Sequence, residues 1–84
     1  MYKKQKGTTL VKYGTDYYII NSLKESEAFK VNESSARIFD LCDGKRNDTE
    51  IIEIVLTHYR GGEITEADIE EFLVRLVELG LVAS

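Results

Sequence analysis

The sequence contains no proline and no tryptophan, and only one cysteine and one histidine among its 84 residues. A single cysteine cannot form an internal disulfide or a Cys-only zinc site, so the composition is typical of the reducing cytosol. No hydrophobic run approaches the roughly 20 residues of a membrane span, and no apolar signal region follows the lysine-bearing start. These absences predict a cytoplasmic protein that has no membrane partner.

Positive charge is also scarce, because 15 acidic side chains outnumber 11 basic ones and the net charge is −4. An acidic chain is a poor partner for the phosphates of nucleic acid or of a membrane surface. A chain of this length forms one domain, here residues 1–84, and buries only about 60 to 65% of its unfolded surface. A deep catalytic cleft built from many residues is therefore not expected.

The residues that commonly carry enzyme chemistry are isolated from one another. Cys42 lies within the apolar stripe of a predicted helix, which indicates a buried structural thiol rather than a nucleophile. His58 precedes the core residue Tyr59 and is predicted to face solvent on another helix. The carboxylates near the start of the third predicted helix point in several directions, as in a solvated face rather than a metal site. The sequence therefore predicts no catalytic residue, no metal and no cofactor.

The first third of the chain is rich in β-branched and aromatic residues. Residues 8–13 and 17–20 predict two strands joined by the turn residues Gly14-Thr15-Asp16, and residues 25–31 predict a third strand. Residues 1–6 are polar and predict a frayed start. The result is a three-stranded antiparallel meander in which the first and third strands are edges.

The third strand leads directly into a helix. Asn32 is a helix-capping residue, the apolar pattern continues over residues 33–43, and Gly44 is typical of a helix end. Everything before this junction has the pattern of a sheet, and everything after it has the pattern of helices. The sequence thus predicts an α+β fold, with a three-stranded antiparallel sheet followed by three helices, an arrangement that resembles the winged helix-turn-helix.

Two further helices are marked at their starts by the spacing of a capping box. Asn47 is followed three residues later by Glu50, and Thr65 by Asp68, so each pair can satisfy two free N–H groups at a helix start. Glycines follow both helical patterns and predict where they end.

The third helix has a wider apolar arc than one core contact requires, and two interpretations remain open. The arc consists of the following residues: Ile69, Phe72, Leu73, Val74, Leu76, Val77 and Leu79. In the first interpretation, the helix is packed between the sheet and the other helices. In the second, the side formed by Phe72, Leu76 and Leu79 lines a groove beside a sheet edge and accepts an extended peptide.

A winged helix that binds DNA is the competing class of function. Its recognition helix should present basic or amide side chains to bases and phosphates. The third helix instead carries Arg75 alone against five acidic residues: Glu66, Asp68, Glu70, Glu71 and Glu78. Placed against phosphates, this helix would repel them, so a DNA-binding function is disfavoured even if the scaffold is shared.

The motifs resemble those of one known family. The run V-N-E-S-S-A-R-I-F-D-L-C-D-G-K-R at residues 31–46 is followed by E-I, by the aromatic Tyr59, and by D-I-E-E-F-L-V-R-L-V-E-L-G-L-V at residues 68–82. Together these segments resemble the PqqD-like family of peptide chaperones, also called RiPP recognition elements, over nearly the whole chain. The chain departs from the family pattern at residues 47–49, where a threonine cap is common, and in the first hairpin.

The resemblance implies that the chain binds the leader segment of a ribosomally made precursor peptide, which adds as a fourth antiparallel strand along the third strand. The implied edge acts mainly through its backbone and consists of Ser26, Glu27, Ala28, Phe29, Lys30 and Val31. The side chains of Phe29 and Val31 themselves are expected to belong to the core. On the last helix, the implied contacts are Phe72, Leu76 and Leu79 for apolar leader residues, and Arg75 and Asp68 for charged or polar ones.

The resemblance also implies a partner enzyme, because such modules deliver a precursor to a leader peptidase or to a radical-SAM or other modifying enzyme. Lasso-peptide maturation is the favoured pathway, and a chaperone role in pyrroloquinoline quinone biosynthesis is the alternative. A structural interaction domain with some other partner remains a further possibility. We expect a monomer or a weak dimer.

Overall fold

The computed structural model describes residues 1–23 and 28–84 and confirms the α+β fold that the sequence predicts. Its elements are β1 (Lys3–Lys4), β2 (Thr8–Tyr13), β3 (Asp16–Asn21), β4 (Phe29–Val31), α1 (Glu33–Asp40), α2 (Asp48–His58), α3 (Glu66–Glu78) and β5 (Val82–Ala83). The strands β2, β3 and β4 form an antiparallel sheet in that order, as expected for a meander. None of the described helices is long and apolar enough to cross a membrane.

The hairpin between β2 and β3 is closed by a loop of two residues, Gly14 and Thr15. Gly14 has a φ of +64°, which the tight turn requires and which a side chain would disfavour. The third strand pairs with β3 from Phe29 to Val31. Its predicted start at residue 25 lies outside the described residues, so the described strand is shorter than the predicted one.

The register of the hairpin determines where the polar groups of β4 point. A two-residue loop makes Tyr13 and Asp16 a hydrogen-bonded pair, and hydrogen-bonded and non-bonded pairs then alternate along the strands. The odd-numbered residues of β3 therefore direct their N–H and C=O groups to β4, whereas Tyr18 directs its groups to β2. Lys30 lies opposite Tyr18. Its N–H and C=O groups consequently point away from β3, toward the outer edge of the sheet.

Both predicted capping boxes are present. Asn47 Oδ1 accepts from the Glu50 N–H at 2.9 Å while Glu50 Oε1 accepts from the Asn47 N–H at 3.1 Å. Likewise, the Thr65 hydroxyl oxygen accepts from the Asp68 N–H at 3.2 Å, and the Asp68 carboxylate accepts from the Thr65 N–H at 3.0 Å. The starts of α2 and α3 are thus determined by side chains three residues apart.

The first helix is shorter than predicted, because it ends at Asp40 rather than at residue 43. The backbone beyond it bonds to the start of the chain: Cys42 C=O accepts from the Lys4 N–H at 3.2 Å, and the Gly44 N–H donates to Tyr2 C=O at 2.7 Å. These bonds replace the last helical turn that the apolar pattern suggested.

The frayed start predicted for residues 1–6 is wrong. Strand β1 pairs antiparallel with β5, with Lys3 opposite Ala83 and Lys4 opposite Val82. The Val82 side chain is fully buried in this arrangement. The two ends of the described chain are therefore joined into a second, two-stranded sheet.

A single core lies between the three-stranded sheet and the helices. Phe39 is its largest fully buried side chain, at 0% exposure. The other buried members come from β3, all three helices, the C-terminal strand and the residues just after α1 and α3: Ile19, Ile38, Cys42, Ile51, Ile52, Val55, Ile69, Leu73, Leu76, Leu81 and Val82. This core fixes α3 beside the edge strand β4.

Candidate functional site

A groove of about 290 Å³ lies between β4 and α3. Its lining residues are Ile19, Ala28, Phe29, Lys30, Val31, Phe72, Arg75, Leu76, Leu79 and Leu81. Eight of these ten are among the residues that the sequence analysis assigned to peptide binding. The structure therefore brings together two segments that are about 40 residues apart in the chain.

The helix side of the groove is formed by one stripe of α3. Phe72, Leu76 and Leu79 are separated by four and three residues, so they project from the same face of the helix. Leu76 is buried and forms part of the floor, Phe72 is half-buried, and Leu79 is 37% exposed. The stripe thus belongs to the core at its base, as in the first interpretation, and at its rim it lines a groove beside the sheet edge.

The strand side of the groove is formed by β4. Phe29 and Val31 are half-buried and pack against the core, as predicted, while also lining the groove. Between them, Lys30 presents its backbone to the outer edge of the sheet, and its ammonium lies 3.7 Å from the Asp16 carboxylate. An edge of this kind, beside an apolar groove, is the geometry that accepts an added strand.

Asp68 is the one described residue of the predicted site that the structure does not bring to the groove. Asp68 does not line it, because it belongs to the first turn of α3 and its carboxylate accepts from the Thr65 N–H. Ser26 and Glu27 lie outside the described residues. Sequence reasoning also missed two lining residues, Ile19 and Leu81. Ile19 could have been identified from its inward position in the central strand, whereas Leu81 had no local signal because it follows the helix.

The thiol and the imidazole lie apart from the groove. Cys42 is completely buried, as predicted, and burial raises the pKa of its thiol to about 11. His58 is exposed, as predicted, and its ring packs edge-on against Tyr59 with centroids 4.7 Å apart. Within residues 1–23 and 28–84, no group of His, Cys, Asp and Glu side chains is arranged to hold a metal ion.

The buried thiol predicts a loss of stability at high pH. Its pKa is about 11 in the folded state against an ordinary value of 9.0, so between these values the folded protein retains a proton that the unfolded chain releases. Stability that is fully present below pH 9 should therefore fall by about 2 to 3 kcal/mol as the pH rises to 11. Urea denaturation at pH 8 and pH 11 measures this loss.

Cys42→Ala is the control for this experiment. Other groups titrate in the same range in both proteins, so the difference between their pH profiles isolates the thiol. If the stability of the two proteins fell in parallel as the pH rose, the loss could not be assigned to the Cys42 thiol.

The acidic side chains of α3 are all exposed, from Glu66 near its start to Glu78 at its end. Arg75, also exposed, is the single basic residue of this helix. A recognition helix with this charge would be repelled by the phosphates of DNA.

The fold and the groove define a class of protein: a winged-helix-like module with an open sheet edge beside an apolar helix face. A family profile described as Coenzyme PQQ synthesis protein D (PqqD) matches residues 17–82. The chain therefore belongs to the PqqD family, which confirms the resemblance seen in its motifs.

The chain is also similar to a solved structure entitled "TbiB1 in Complex with the TbiA(beta) Leader Peptide". The TM-score is 0.75 with 17% sequence identity, and the similarity covers 98% of this chain and 95% of that chain. At this identity the similarity establishes the fold. No curated protein matches the chain.

Proposed function

We propose that this protein binds the leader segment of a ribosomally synthesised precursor peptide by adding it as an antiparallel strand to β4. The observation that carries the proposal is the groove itself, in which the exposed edge of β4 lies beside the apolar stripe of α3. Membership of the PqqD family supports it, and so does the similar fold of TbiB1, which was solved with a leader peptide.

The groove has the dimensions of a short extended peptide. Phe72 and Leu79 are seven residues apart on α3, which corresponds to about 10 Å along the helix axis. Alternate side chains of a strand are about 7 Å apart, so two successive inward-facing leader residues fit between these ends. Main-chain bonds to Lys30 set the register of the leader, and the apolar stripe selects its inward side chains.

Binding alone is the proposed role, and the chain itself makes or breaks no covalent bond. By holding the leader, it raises the local concentration of the precursor beside a leader peptidase or another modifying enzyme. Lasso-peptide maturation is the pathway we favour, and a chaperone role in pyrroloquinoline quinone biosynthesis is the alternative. The proposed site of action is the cytoplasm.

An NMR titration tests the proposal directly. Labelled protein is titrated with the synthetic leader of the precursor encoded nearest to its gene, and amide shifts are followed. We expect the shifts to cluster at residues 28–31 and 72–79. Shifts with duplex DNA instead, and none with the peptide, would overturn the proposal in favour of a DNA-binding winged helix.

The backbone of the edge can be tested with Lys30→Pro. Proline removes the one N–H group of β4 that points outward between two ladder pairs, so the sheet loses no internal hydrogen bond. Lys30→Thr removes the same charge but keeps the N–H group, and it serves as the matched control. We expect the proline variant to bind the leader about fivefold to tenfold more weakly than the threonine variant, which corresponds to one net hydrogen bond. Equal affinity of the two variants by calorimetry would show that the leader does not pair with this edge.

A further inference from the structure

Two charged residues line the groove, and both are basic: Lys30, through its position in β4, and Arg75. The chain as a whole has a net charge of −4, and the other charged residues of α3 are all acidic. The charge of the groove thus has the opposite sign to the charge of its surroundings.

The two basic groups are not equivalent. The ammonium of Lys30 lies 3.7 Å from the Asp16 carboxylate. Arg75 takes part in none of the ion pairs within residues 1–23 and 28–84, although Glu71 and Glu78 lie one turn away on the same helix. Within these described ranges, the Arg75 guanidinium at the rim of the groove is therefore not engaged by a carboxylate.

Arg75 lies on the same face of α3 as two apolar residues of the groove. It lies three residues after Phe72 and four residues before Leu79, so all three project from one face of α3. A peptide that places an apolar side chain against this face also passes Arg75. The carboxylate of Asp68, by contrast, is engaged at the start of the helix and adds no negative charge to the lining.

We infer that the groove selects a peptide segment in which an acidic side chain lies close to an apolar anchor, and that Arg75 pairs with this acidic side chain. The inference rests on the proposed function and specifies its substrate class. A guanidinium presents two parallel N–H donors to a carboxylate, and this geometry favours Asp or Glu over an amide. Because the pair lies at a solvated rim, its effect on affinity is modest, about threefold to fivefold. A basic residue at the same position would be repelled.

The experiment uses selection from a random dodecapeptide library displayed on phage. The baits are the wild-type protein, Arg75→Glu, and Arg60→Glu as a matched control. Arg60 is exposed near the end of α2, is not part of the groove, and undergoes the same change of charge. We expect peptides selected by the wild type and by Arg60→Glu to carry Asp or Glu at a constant distance from an apolar residue. Peptides selected by Arg75→Glu should carry Lys or Arg at that position.

A synthetic peptide from the wild-type selection then allows a double-mutant cycle. Replacing its acidic residue by the corresponding amide should weaken binding to the wild type about threefold to fivefold and leave binding to Arg75→Gln unchanged. Equal weakening for both proteins would overturn the inference. Selected peptides that compete for the groove but lack an acidic preference would also overturn it, while the proposed function would stand. If no selected peptide shifted the amide NMR signals of residues 28–31 and 72–79, the proposed function would be contradicted as well.

Discussion

Leu79→Glu is expected to abolish leader binding and to leave the protein folded. Leu79 lines the rim of the groove and is 37% exposed, so a carboxylate at this position remains hydrated in the free protein. A leader peptide that enters the groove would have to remove water from this charge without supplying a partner. We expect a loss of at least about 2 kcal/mol, or about 30-fold in affinity, as for an apolar anchor residue of an interface.

Val74→Glu is the matched control for Leu79→Glu. Val74 lies on the same helix and is 55% exposed, but it does not line the groove. The two variants make the same kind of change, and only the one at Leu79 should affect binding. Affinity is measured by calorimetry with the synthetic leader, and folding by thermal denaturation. A folded Leu79→Glu variant that binds the leader like the wild type would exclude this side of α3 from the site.

Phe39→Ala is expected to remove a large part of the stability of the protein. The Phe39 side chain is completely buried at the centre of the core, and the ammonium of Lys4 lies 5.0 Å from its ring centroid. Truncating a buried phenylalanine to alanine costs about 3 to 5 kcal/mol through lost burial and the cavity left behind. At about 0.05 to 0.15 kcal/mol per residue, a domain of this size has only about 4 to 12 kcal/mol in total.

Urea denaturation of Phe39→Ala measures this loss, and Tyr13→Ala is its control. Tyr13 is also aromatic but is 82% exposed on the hairpin, so its truncation should cost less than about 0.5 kcal/mol. If the two variants unfolded at the same urea concentration, Phe39 would not be the central residue of the core. Leu76, the floor of the groove, belongs to the same core, so Phe39→Ala should also weaken leader binding by loosening the position of α3.

Features that depend on neighbouring residues were predictable from the sequence. The capping boxes of Asn47 with Glu50 and of Thr65 with Asp68 involve side chains and N–H groups only three residues apart. The order of strands and helices follows in the same way from turn residues and from the period of apolar residues. The burial of Cys42 and the exposure of His58 follow from their positions in the period of the neighbouring apolar residues.

Features that depend on distant residues were not predictable in this way. The pairing of Lys4 with Val82 joins segments almost a full chain length apart, and polar residues 1–6 give no local sign of it. The N-terminal segment also bonds to the backbone of Cys42 and Gly44, at the place where the apolar pattern would continue α1. Local patterns carry no information about which distant backbone groups will be available.

The candidate site divides along the same line. The sequence by itself determined that the chain belongs to the PqqD family, that α3 has an apolar stripe and that the sheet has an edge strand. Only the tertiary structure decided that β4 and α3 enclose one groove, that Ile19 and Leu81 complete it, and that Asp68 is excluded from it. The physical reason is that a stripe or an edge depends on contacts a few residues apart in the chain. A groove instead depends on how a shared core fixes two distant elements relative to each other.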